Sequence, residues 1–200
     1  MRRNPPIIPG SFYHVYNRGH GGSAIFLEPK NYVFFLHKFR KYVVDQHAIV
    51  VAYVLMPNHY HFLLEIISEG FSHAFQNFTI SFVKSINTSY QRKGTLFQGA
   101  FQARQVDKDE YLLHLSRYIH LNPVKAGLVK LPQNYIYSSY LEYVGARDGT
   151  LPHPEIVLSQ FATSKTSEVP KTSEVYERYR SFTEDSENEW EGLISHLLFD

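Results

Sequence analysis

Residues 53–64, which read YVLMPNHYHFLL, are the most informative stretch for the fold of this chain. An apolar run ends at Pro57 and Asn58, a pair typical of tight turns. A second apolar run follows at once. The pattern therefore predicts two strands, at about 47–55 and 59–67, joined by a tight hairpin.

Two histidines, His59 and His61, begin the second of these strands. Side chains alternate between the two faces of a strand, so both imidazoles share one face and Tyr60 points to the other. Two neutral imidazoles side by side on a rigid strand make half of a metal site. The same spacing is also common among polar residues at a solvated strand end. A metal site therefore requires a partner motif elsewhere in the chain.

The order of apolar patterns places this hairpin inside a larger sheet. Strands alternate with amphipathic helices, and the order strand-helix-strand-strand-helix-strand matches a ferredoxin-like α+β fold with an antiparallel sheet flanked by helices. In such a sheet the strand of His59 and His61 lies inside. The predicted elements are a strand at 11–18, a helix at 31–45, the hairpin strands, a helix at 72–91, a strand at 95–106 and a helix from about 107 to 121, ended by Asn122 and Pro123.

The last helix of this series carries a line of polar side chains. Tyr111, His114, Tyr118 and Asn122 follow one another at steps of three, four and four, which aligns them on one face. Taken alone, Tyr118 reads as a half-buried helix tyrosine. His114 and His120 read as surface or capping residues.

The amino-acid composition argues against disulfide-bonded, thiolate-metal and helical membrane-spanning proteins. The chain has no cysteine, which excludes disulfides and thiolate metal sites. No apolar run approaches the roughly 20 residues that cross a bilayer, and residues 1–6 do not resemble a signal peptide. We therefore expect a cytoplasmic protein with no membrane partner.

Charge is distributed unevenly along the chain. Residues 168–200 contain nine acidic and three basic side chains, a net charge of −6, so residues 1–167 carry +7 of the total of +1. A basic body with an acidic tail suits a protein that binds a polyanion. We predict a nuclease-type domain at 1–147 and a linker with an acidic, mostly helical C-terminal extension at 148–200, which includes helices at 175–182 and 189–198.

Two paired motifs resemble those of a known family. His-Tyr-His after Met-Pro-Asn, with Tyr-x-x-x-Asn-Pro downstream, resembles the single-tyrosine HUH transposases, and specifically the REP-associated tyrosine transposases. The resemblance spans about residues 11–145. It is carried by residues 12–19, 52–65, 94–105, 111–129 and 138–140.

The resemblance implies a metal-dependent enzyme that cleaves and rejoins single-stranded or hairpin DNA through a 5′-phosphotyrosine intermediate. It implies that His59 and His61 are metal ligands, that Tyr118 is the nucleophile and that Asn122 is a third ligand, where many members carry glutamine. Such ligands bind more softly than an all-oxygen site, so Mn²⁺ should bind well and Mg²⁺ can serve.

Eight residues are candidate DNA contacts, because they are basic or polar and lie in the positively charged body. The sequence departs from many relatives after Gly99, where Ala100 stands in place of an arginine, and one DNA contact is therefore in doubt. The candidates are Asn17, Arg18, Lys84, Arg92, Lys93, Arg104, Arg117 and Lys125.

Two other functions remain open on sequence grounds, as does a homodimer. A non-catalytic module of ferredoxin-like fold could bind single-stranded nucleic acid by stacking bases on exposed aromatic side chains. A phosphodiesterase that uses water would need further Asp or Glu ligands, which the motif strands lack.

Overall fold

A computed structural model describes residues 6–162, 172–185 and 190–198. Short 3-10 turns occur at His20–Gly22, Pro132–Asn134, Ser159–Phe161 and Ser195–Leu197. The strands and α-helices, in chain order, are β1 Ser11–Arg18, α1 Pro29–Tyr42, β2 Ala48–Met56, β3 His59–Ile66, α2 Phe71–Ser89, β4 Gln102–Val106, α3 Asp109–Lys125, α4 Tyr140–Tyr143, α5 Glu155–Leu158, α6 Ser173–Glu184 and α7 Trp190–Ile194.

The four strands form one antiparallel sheet in the order β2-β3-β1-β4. This order, with helices α1 and α2 as the connections, is the ferredoxin-like arrangement that the sequence predicts. The hairpin between β2 and β3 turns at Pro57 and Asn58, as expected. Strand β3 lies inside the sheet, with β2 on one side and β1 on the other.

Period-two alternation gives the sheet two apolar faces, and each face has its own core. On one face, Tyr60 and Phe62 pack with phenylalanines of α1 and α2, among them Phe35 and Phe75. Full burial of a phenylalanine contributes about 1.5–3 kcal/mol to stability. This aromatic packing therefore holds α1 and α2 against the sheet.

The opposite face is covered by α3 and by the C-terminal extension. Leu63 of β3 belongs to the same buried cluster as Leu115 and Ile119 of α3. Tyr179 of α6 and Leu197 after α7 complete that cluster. The described part of the extension is mostly helical, as predicted, although residue 189, the predicted start of its last helix, lies outside the described residues.

The predicted end of α3 at Asn122 and Pro123 is wrong, because the helix continues to Lys125. Proline removes one intrahelical donor and disfavours the helical conformation of the residue before it. Here Pro123 is buried, and the side-chain amide of Asn122 donates to the carbonyl of Tyr118 at 2.9 Å. Packing of the ring and this local hydrogen bond offset the missing donor.

The predicted strand at 95–106 is shortened to Gln102–Val106. Phe97 still forms an isolated bridge with Gly19, and the Gln98 amide donates to the Arg18 carbonyl at 2.9 Å. Gly99 then adopts φ +152°, a conformation that side chains rarely allow, so the ladder is interrupted at this residue.

Candidate active site

His59 and His61 share one face at the start of β3, as their alternation predicts, and α3 covers that face. Their ring centroids are 5.0 Å apart and the ring planes are nearly perpendicular, at 86°. His61 is buried, at 1% exposure, whereas His59 is partly exposed. One imidazole is therefore locked in the protein interior, and the other lies at its edge.

Helix α3 places Tyr118 and Asn122 beside the two histidines. The Tyr118 ring meets His61 edge-on, with centroids 5.6 Å apart. Asn122, one turn later, hydrogen-bonds to His59. The structure therefore assembles the two histidines, the tyrosine and the asparagine from two elements that are distant in sequence.

The proton arrangement of His59 follows from its neighbours. His59 Nδ1 lies 2.7 Å from the side-chain oxygen of Asn58, which can only accept, so Nδ1 carries the proton in the neutral ring. Burial lowers the pKa of His59, while a hydrogen bond that Asn122 accepts opposes this effect and the Arg18 charge adds to it. Nε2 then keeps its lone pair, as a metal ligand requires.

Burial holds the pKa of His61 well below its usual value, and the neighbouring His14 and His59 lower it further. His61 is neutral at physiological pH for this reason. His14 of β1 lies beside it, with Nε2 2.9 Å from His61 Nδ1. Sequence reasoning missed His14. In the register of β1 and β3, Tyr16 pairs with His61, and alternation along β1 places His14 on the same face as Tyr16.

The donor set fits a divalent cation of intermediate softness. Two neutral imidazoles and an amide oxygen form a softer donor set than an all-oxygen site, which Mn²⁺ accepts more readily than Mg²⁺ does. Among the described residues, no group of three His, Cys, Asp or Glu side chains could hold a metal ion. A third protein ligand would therefore come from an amide. Asn122 fits this role because its nitrogen donates to the Tyr118 carbonyl and its oxygen is the remaining polar atom.

Asn17 and Arg18, two of the predicted DNA contacts, lie at the end of β1 beside the histidines. They line a cavity of about 240 Å³ together with Tyr16, Gln98 and Gly99. Tyr16 connects this cavity to the site, since its ring centroid is 6.0 Å from that of His61.

Three other predicted contacts are held by the C-terminal extension. Arg104 donates to the His196 carbonyl at 3.0 Å, and Lys125 forms an ion pair with Glu191. Arg117 is buried at 4% exposure, donates to the Asp185 carbonyl and lies over the Phe182 ring at 5.0 Å. Its position favours a packing role over contact with DNA.

The remaining predicted contacts are not brought to this site. Lys84 is exposed on α2, and Arg92 and Lys93 follow the end of that helix. Because α2 packs with α1 on the other face of the sheet, Lys84 belongs to a different surface.

The expectation that His120 is a surface or capping residue is wrong, because its side chain is fully buried. Its Nδ1 lies 2.7 Å from the Tyr179 hydroxyl and its Nε2 lies 2.8 Å from the Ser139 hydroxyl. Burial lowers the pKa of His120 to about 3. His120 thus ties α3 to α6 and to the segment before α4.

The fold and the site together define a class: a ferredoxin-like domain with a histidine pair on an inner strand facing a tyrosine on a helix. No protein-family model matches the chain, and a comparison with curated proteins finds no match. Among solved structures, the chain is similar to a REP-associated tyrosine transposase bound to a REP hairpin. The TM-score is 0.59 at 21% sequence identity, over 76% of this chain and 96% of that chain. This likeness establishes a shared fold.

In the part of the chain that the structure describes, no helix has the length and apolar character needed to cross a membrane.

Proposed function

We propose that this protein is a metal-dependent, single-tyrosine DNA strand transferase of the REP-associated tyrosine transposase family, acting in the cytoplasm on single-stranded or hairpin DNA. The observation that carries the proposal is the convergence of His59, His61, Tyr118 and Asn122 at one point on the sheet. The shared fold with a transposase bound to a hairpin supports it.

His59, His61 and Asn122 would hold the metal, Mn²⁺ or Mg²⁺. When bound, the ion polarises the scissile phosphate and stabilises the departing 3′-oxygen. The protein supplies the preorganised part of the site. His61 is immobilised by burial, and Asn122 is oriented by its hydrogen bond to the Tyr118 carbonyl.

Tyr118 supplies the nucleophile. Its hydroxyl oxygen forms the new bond to phosphorus while the bond to the 3′-oxygen breaks, which leaves a free 3′-hydroxyl and a tyrosine joined to the 5′-phosphate. A phenol with a pKa near 10 is a weak nucleophile at neutral pH. The Lys125 ammonium lies 5.5 Å from the Tyr118 ring centroid, which places one cation beside the proposed nucleophile.

The phosphotyrosine link conserves the energy of the broken phosphodiester. A 3′-hydroxyl can therefore attack it and rejoin the strand without an external energy source. No water attack is required, so the reaction needs no general-base carboxylate to activate water.

The non-catalytic alternative has less structural support. Modules of that kind stack bases on aromatic side chains of an open sheet face. Here α1 and α2 cover one face, and α3 with the extension covers the other.

The test is incubation of the purified protein and a 3′-labelled DNA hairpin with single-stranded flanks in Mn²⁺, followed by denaturing electrophoresis, because the 3′ label stays on the fragment that becomes joined to the tyrosine. We expect a covalent protein–DNA band that disappears with a chelator and in Tyr118→Phe. Tyr111→Phe is the matched control, because Tyr111 lies on the same helix but packs against His196. A band that persists in Tyr118→Phe, or that maps to another tyrosine, contradicts the proposal.

A further inference from the structure

His14 lies at the centre of a chain of hydrogen bonds that ends at a candidate metal ligand. Its side chain is fully buried on β1. Its Nδ1 lies 2.6 Å from the Leu197 carbonyl oxygen, and its Nε2 lies 2.9 Å from His61 Nδ1. Both ring nitrogens are therefore within hydrogen-bonding distance of another buried group.

The Leu197 carbonyl determines where each proton lies. A carbonyl oxygen can only accept, so His14 Nδ1 must carry a proton. Burial disfavours the doubly protonated ring, so His14 Nε2 is unprotonated and accepts. Its donor is the Nδ1 proton of His61. It follows that the proton of His61 lies on Nδ1 and the lone pair lies on Nε2.

We propose that His14 is a positioning residue that fixes the tautomer and ring orientation of His61, so that Nε2 is the nitrogen presented to a divalent cation. The inference rests on the proposed function, since that function makes His61 a ligand. It adds a role for β1, which carries His14, and for the C-terminal extension, whose Leu197 carbonyl keeps the His14 proton on Nδ1.

The arrangement matters because neutral imidazole has two tautomers and only one exposes a given nitrogen as a ligand. A ligating histidine whose second nitrogen donates to a fixed acceptor is a stronger and better-oriented ligand. Without an acceptor at His14, the buried Nδ1–H of His61 would lack its partner. His61 would then rotate or move its proton to Nε2, and either change weakens metal binding.

The first test measures Mn²⁺ affinity of the full chain, without DNA, by isothermal titration and by the electron paramagnetic resonance signal of free Mn²⁺. His14→Leu removes the acceptor and should weaken Mn²⁺ binding about 10–100-fold, the usual effect of removing such a partner. His14→Gln places a carbonyl oxygen near the position of Nε2 and should recover most of the affinity.

The matched control is His120→Leu. This histidine is equally buried and hydrogen-bonded at both nitrogens, but its partners are Tyr179 and Ser139. Its replacement should lower stability and leave Mn²⁺ affinity unchanged. Equal losses of affinity in the His14→Leu and His120→Leu variants would overturn the proposal, as would unchanged affinity in His14→Leu.

The second test needs no variant. Imidazole ¹⁵N chemical shifts of the metal-free, wild-type protein should show His61 protonated on Nδ1 and unprotonated on Nε2. The opposite tautomer overturns the proposal even if the His14 variants do not fold. A wild-type chain that binds no Mn²⁺ but shows the expected tautomer would instead contradict the proposed metal dependence, so the two failures are distinguishable.

Discussion

The Tyr118 ring stands edge-on to His61, at 86° and with centroids 5.6 Å apart, although the two residues come from a helix and a strand 57 positions apart in sequence. The contact places a phenol beside a buried imidazole that is neutral. Asn122 continues the same face of α3 to His59. A phosphate that entered between these groups would meet the proposed nucleophile on one side and the proposed metal ligands on the other.

Replacement of Tyr118 by phenylalanine should abolish formation of the covalent DNA adduct. The change removes one oxygen and keeps the ring against His61, so the free energy of unfolding should fall by no more than about 1 kcal/mol. Thermal or urea unfolding measures this cost. Mn²⁺ affinity, measured separately, should not change. Loss of the fold or of metal binding in this variant would mean that Tyr118 is a structural residue.

Replacement of His59 by alanine should abolish cleavage while leaving DNA binding largely intact. His59 is partly exposed, so its loss costs little packing, whereas binding of DNA depends on the basic body. Electrophoretic mobility shift and cleavage assays on the same hairpin separate the two effects. His61→Ala should also abolish cleavage, but this buried ring leaves a cavity, and its lower stability must be measured alongside. Cleavage by either variant in the presence of a chelator would contradict a metal role.

Glu191→Gln should increase affinity for single-stranded DNA and steepen its dependence on salt. Glu191 holds Lys125, and release of one cation is expected to add roughly 1 kcal/mol of attraction at contact distance in water. Fluorescence anisotropy at several salt concentrations measures both quantities. Glu174→Gln is the control, because it removes an equal charge from an exposed pair with Arg178 on α6.

If Glu191→Gln and Glu174→Gln change DNA affinity equally, the effect comes from net charge and not from the release of Lys125. Deletion from about residue 150 would be the direct test of shielding by the whole extension. It is a poor choice, because Val157, Val175 and Tyr179 are buried in the core that covers the sheet.

The stability of the metal-free protein should fall as the pH falls from about 6.5 towards 3. Burial lowers the folded-state pKa of His120 to about 3, so between these values the unfolded chain binds a proton that the folded chain does not. This residue alone contributes a slope of up to about 1.4 kcal/mol per pH unit. His120→Gln should therefore flatten the slope in urea titrations, and it should lower stability at pH 7 because it disturbs two buried hydrogen bonds, to Tyr179 and Ser139. Parallel pH profiles for the two proteins would contradict this assignment.

The sequence by itself determined the sheet, because local patterns encode it. The turn at Pro57 and Asn58 and the alternation through His59, Tyr60 and His61 depend only on neighbouring residues. The order of strands and helices then leaves few ways to pair the strands. For the same reason, Tyr118 and Asn122 could be placed on one face of a helix before any contact was known.

Only the tertiary structure decided which side chains are buried and what they touch. His14 becomes a partner of His61 because β1 lies next to β3 in space and because a carbonyl at residue 197 returns to the sheet. The burial of His120 and the passage of α3 through Pro123 have the same origin. Local rules predict exposure and a helix end at these positions, and long-range packing on the second face of the sheet outweighs both.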